Sequence, residues 1–127
     1  MTPAIEEARR YLQLADDDAA AFRALLKLPE IKFRLACFHA QQAVEKTLKA
    51  VLTQHGIDYR RTHDLHTLAD MLLKNNVSLP CTPEELTRLN PFAVTFRYDD
   101  TDIPLIAPAE VERMVDSMRR WASEVVK

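Results

Sequence analysis

The stretch FRLACFHAQQAVEKTLKAVLTQH, residues 33–55, is a long unbroken helical pattern, and the rest of the sequence reads outward from it. Phe33, Cys37, Ala40, Val44, Leu48 and Val51 recur at spacings of four, three, four, four and three, which lines them up as one apolar stripe of an α-helix. His39, Gln42, Lys46 and Lys49 follow the same rhythm on another side and form a polar, partly cationic face. Ala36, Ala43 and Ala50 sit seven apart, a line of small residues that admits the close approach of another helix, either from this chain or from a second copy.

Helical patterns flank this stretch on both sides. Thr2-Pro3 reads as a cap and first-turn pair, and Ile5, Ala8, Leu12, Ala15, Ala19, Phe22 and Leu26 then predict a long first helix. It ends before Pro29, because proline disfavours the helical region for the residue preceding it. Asp16, Asp17 and Asp18 within it read as a solvated face. After Gly56, placed for a left-handed cap, a third helix is expected from about 64 to 74 on the stripe Leu65, Leu68, Ala69 and Leu72, capped by Thr62 or His63. Thr82-Pro83-Glu84-Glu85 is a capping box that opens a fourth helix, with Leu86, Leu89, Ala93 and Phe96 on one face. Pro91 must kink that helix or start a new segment capped by Asn90. A last helix begins at Pro108 and places Val111, Met114, Val115, Met118, Trp121, Ala122 and Val125 toward the core.

Composition narrows the function classes. A chain of 127 residues with 47% hydrophobic content is expected to form a single domain, 1–127, that buries its own core. One glycine, against an average of about 7%, leaves no material for glycine-rich phosphate loops and favours an all-α fold. A net charge of −2 gives no overall bias toward nucleic acid or membrane, so any nucleic-acid role rests on a local patch. Two cysteines, one on the apolar stripe and one in a loop, suggest neither a disulfide framework nor a zinc site, and fit a reducing cytoplasm. No run of 18 apolar residues and no apolar leader occur, so neither a membrane span nor export is expected.

The segments FHAQQAVEKTLKAVL, THDLHTLADML and LNPFAVTFRYDD, in this order, resemble the HEPN domain, the nucleotide-binding helical domain of higher eukaryotes and prokaryotes, over roughly residues 4–125. The resemblance implies an up-and-down bundle of four to five helices with two long antiparallel ones. It also implies a homodimer, pairing with a small nucleotidyltransferase in a toxin–antitoxin-like arrangement, and in many members metal-independent ribonuclease activity. The active ribonucleases of that family carry an Arg followed four to six residues later by a His. Histidine would handle the 2′-hydroxyl proton and arginine would stabilise the phosphorane. Here the late arginine is Arg97, and Tyr98 through Ile103 supply no histidine. Arg61 and His66 match the spacing, but at the start of the third helix, where the family does not place its catalytic pair.

The sequence therefore nominates His39, Gln42, Lys46, His63, Asp64, Arg97 and Tyr98 as ligand-binding residues. Each has a plainer reading. Lys46 can pair with Asp64, His63 can serve as a cap, and Arg97 can pair with Asp99, Asp100 or Asp102. His63 and His66 lie three apart but lack third and fourth ligands, so neither a metal nor another cofactor is expected. The expected function is a non-catalytic HEPN protein that binds a nucleotide or a nucleotidyltransferase partner. The alternatives are an endoribonuclease using Arg97, or Arg61 with His66, and a dimeric scaffold without ligand.

Overall fold

The structure is a computed structural model that describes residues 2–93 and 106–126. All regular elements among these residues are helical: α1 (Pro3–Leu26), α2 (Phe33–Gln54), α3 (Leu65–Lys74), α4 (Pro83–Thr87), a 3₁₀ turn (Asn90–Ala93) and α5 (Pro108–Val125). The two long helices α1 and α2, joined by a short turn, pack against each other along their length, and α5 and the shorter elements close over α2.

The helix ends follow from local chemistry. Thr2 caps α1 by accepting the Ile5 amide at 3.2 Å, and Pro3 fills the first turn, where its missing N–H costs nothing. At the end of α2, Gly56 takes φ +67°, the Gly56 amide reaches Thr53 and the Ile57 amide reaches Leu52. The end of α3 repeats this pattern with Asn76 at φ +63° and Val77 bonded back to Leu72. Both are Schellman ends, in which the left-handed residue turns the chain and an apolar residue after it folds onto the core. Ile57 and Val77 both do so.

The expected stripe on α2 is buried from Cys37 to Val51, with Phe33 packed at its margin. Burial in this apolar setting pushes the Cys37 thiol up to about 12. Ala36, Ala43 and Ala50 are also buried, all within this one chain. The small-residue line is therefore consumed inside the bundle, and no second copy is needed to cover it. On α5, Met118 is fully buried, but Trp121, expected in the core, is only half-buried at the edge of a groove lined also by Leu79 and Pro80.

The fourth helix departs most from expectation. Its capping box forms, with Thr82 Oγ accepting the Glu85 amide at 3.1 Å, yet the helix stops at Thr87. Pro91 has no N–H to continue the ladder, and its ring would collide with the Thr87 carbonyl. The chain tightens to i→i+3 bonds, Leu89 to Leu86 and Phe92 to Leu89, both at 3.0 Å. Side chains three apart then stack on one side, so Leu86, Leu89 and Phe92 enter the core while Ala93 stays half-buried. Phe96 lies outside the described residues.

Candidate ligand-binding site

The three adjacent aspartates of α1 point in three directions because successive helical residues are about 100° apart. Asp18 faces α2, where its side chain is 13% exposed, meets His39 Nδ1 at 3.0 Å and accepts from the Lys46 ammonium. Asp16 faces α5 and holds Arg119 through two hydrogen bonds, and Asp17 stays in solvent. This corrects two expectations. The aspartates are not one solvated face, and Lys46 pairs with Asp18 rather than Asp64, since it is α1 that packs along that side of α2.

Asp64 instead caps α3. Its Oδ1 accepts the His66 amide at 3.0 Å and the Asn90 side-chain amide at 2.8 Å, and its Oδ2 accepts the Thr67 hydroxyl at 2.8 Å. Asn90 Oδ1 in turn accepts the Leu65 amide at 2.9 Å, so the first turn of α3 is braced against the 3₁₀ turn. Partial burial acts to raise the Asp64 carboxyl, but the hydrogen bonds from Thr67, Asn90 and the backbone outweigh it and hold the group below its ordinary value. Neither Thr62 nor His63 is the cap. Thr62 Oγ accepts the Asp64 amide at 3.0 Å, one step upstream.

The most enclosed charged group on this side, among the described residues, is Glu45, whose side chain is 4% exposed. Its Oε1 meets His63 Nδ1 at 2.8 Å and accepts from Gln41 Nε2 at 3.2 Å, and its Oε2 accepts from Lys49 at 2.9 Å. Gln41, fully buried, also donates to the His63 carbonyl at 3.1 Å and accepts from Gln42 Nε2 at 2.7 Å. A carboxylate this far from water is tolerated only when its lone pairs are matched by donors. Here the turns of α2 on either side of Glu45 and the loop before α3 provide them. Gln42, nominated as a ligand contact, thus braces Gln41, and the residue at the centre is Glu45. Sequence reasoning put weight on neither Gln41 nor Glu45 as a site residue. The available signal was the four-residue spacing of Gln41, Glu45 and Lys49, which makes a ladder of hydrogen bonds along one helix face.

Beside this node lies an open cleft of about 350 Å³ lined by Lys49, Arg61, Thr62 and His63. His63 has its side chain 71% exposed and its Nδ1 engaged by Glu45, which leaves Nε2 for a ligand. Arg61 is exposed and makes no ion pair among the described residues. Three nitrogen-bearing side chains that carry or can acquire positive charge, with a hydroxyl, suit a phosphate or carboxylate. His66 does not line this cleft; it stands exposed in the first turn of α3, so the Arg61 and His66 spacing match does not become a shared pocket. Arg97 and Tyr98 lie outside the described residues. Among the described residues, no three His, Cys, Asp or Glu side chains converge as metal ligands, and no helix is long and apolar enough to cross a membrane.

The family model for the HEPN domain matches residues 5–126, and the chain belongs to that family. The fold is also that of an archaeal HEPN homologue known from a crystal structure, at 17% sequence identity and a TM-score of 0.60, over 95% of this chain and 98% of that one. A search of curated proteins finds no sequence match.

Proposed function

We propose that this HEPN protein binds a phosphate-bearing ligand, a nucleotide in the first instance, and does so without catalysis of its own. The observation that carries the reading is the cleft of Lys49, Arg61, Thr62 and His63, in which Arg61 makes no ion pair among the described residues and His63 is held by Glu45. An arginine free of carboxylates can meet a phosphate through two parallel N–H groups, and an ordered histidine, in its protonated form, adds a third donor from Nε2 at little entropic cost. Family membership supports a homodimer that works beside a small nucleotidyltransferase in a toxin–antitoxin-like pair. It equally supports one HEPN-like domain spanning 1–127 and a cytoplasmic setting. His39 and Lys46 contribute in this reading by holding α1 against α2 through Asp18.

The test is calorimetric titration of the purified protein with a nucleoside triphosphate. Arg61→Ala is expected to weaken binding by about tenfold or more, the usual cost of a lost charge-assisted pair. Equal affinity in the variant would remove the cleft from the account. Incubation with RNA in EDTA is expected to show no cleavage above background. Cutting that is lost in His66→Ala would instead favour the ribonuclease reading.

A further inference from the structure

A second cationic cleft, unrelated to the first, lies between α1 and α5. It encloses about 300 Å³ and is lined by Asp16, Ala19, Arg23, Asp116, Arg119 and Arg120. Three guanidinium groups face two carboxylates there, so the local charge is unbalanced toward positive. The pairing is also unequal. Asp16 takes Arg119 by both Nε, at 2.6 Å, and Nη2, at 3.0 Å, which fixes that guanidinium in place. Arg119 Nη1, shut off from solvent, has no hydrogen-bond partner among the described residues. Arg23 reaches Asp116 only at 3.4 Å, with both side chains 47% exposed. Arg120 makes no ion pair among the described residues.

A buried N–H without an acceptor carries its full desolvation cost. We propose that this cleft binds a compact phosphate monoester of a small molecule, held by Arg119, Arg120 and Arg23. The shape of the charge selects the ligand. Asp16 and Asp116 flank the arginines, so a long polyanion laid across the cleft would meet carboxylates on its way, whereas a single dianionic group fits between them. Arg119 is already oriented by Asp16, so little freedom is lost when it takes a phosphate oxygen. Arg23 has only a long, exposed contact to give up.

Site-resolved NMR of the arginine Nε–H groups, titrated with inorganic phosphate, tests this on the full chain. Arg119 and Arg120 signals are expected to shift together and saturably. The midpoint should rise by about tenfold in Arg23→Ser and in Arg120→Ser, both at exposed positions, as expected for loss of a charge-assisted contact. Lys74→Ser should leave the midpoint unchanged. The shifts should persist in Arg61→Ser, which separates this site from the α2–α3 cleft. The proposal is overturned if these signals do not move, if their midpoint is the same in Arg120→Ser as in the parent, or if the shifts vanish in Arg61→Ser. Shifts produced by an RNA oligonucleotide and not by phosphate would also overturn it.

Discussion

Glu45 and Arg119 each anchor a polar cluster in this bundle, and they resolve the same problem in opposite ways. At Glu45 both α2 and the loop before α3 contribute donors, so a carboxylate 4% exposed has matched partners from Gln41, Lys49 and His63. At Arg119 two donors are matched by Asp16 and the buried Nη1 group is left over among the described residues. The first cluster is closed and serves to fix the loop before α3. The second has spare donors and room beside it. Being charged and partly buried therefore does not distinguish a structural group from a binding group; completing the hydrogen-bond inventory does.

The strongest way to break the comparison is Glu45→Ala. It removes one acceptor from three donors at once, and stripping a partner from a buried charged cluster costs about 3–5 kcal/mol. Urea denaturation should show a loss of that order; a loss below about 1 kcal/mol, the scale of an exposed pair, would mean that the node is not closed. Next in size is Asp64→Ala, which removes the α3 cap and the link to Asn90. Loss of such a cap costs about 1 kcal/mol at neutral pH. Because the folded-state carboxyl is held below its ordinary value, its ionised form contributes stability above the unfolded pKa of about 3.9. That part disappears as pH falls through the lower folded value. The gap between parent and variant should therefore narrow in acid, and a gap that widened there would reverse the assignment. Smallest is Arg23→Ser. With its pair to Asp116 long and half in solvent, a stability change within about 0.5 kcal/mol is expected by thermal unfolding. A large loss would make Arg23 a structural group.

Much of this was legible in the chain itself. The α2 stripe, the capping box at Thr82, the left-handed Gly56 and the last helix all depend on spacing and on local backbone chemistry, which one dimension records. The partners of Asp18 and Lys46 did not emerge, because three aspartates in a row look alike until a neighbouring helix selects one of them. Gln41 escaped for a related reason. It is polar and borders the apolar stripe, so its burial depends on the loop that supplies the His63 carbonyl, and nothing in the local pattern announces that contact. The break at Pro91 was foreseen, but its outcome as a 3₁₀ turn with Phe92 in the core depends on packing against α2.

The buried thiol on α2 gives this bundle a clock. With its ionisation pushed up to about 12, Cys37 carries a reactive thiolate in only about one molecule in ten thousand at pH 8. A thiol reagent therefore modifies it only when the α1–α2 layer comes apart, and the labelling rate counts those openings. Cys81, also buried and with its thiol raised by burial and by Glu85, sits in the loop before α4, where a smaller excursion suffices. The ratio of the two rates measures how far the end of the bundle can loosen while its central helix stays shut.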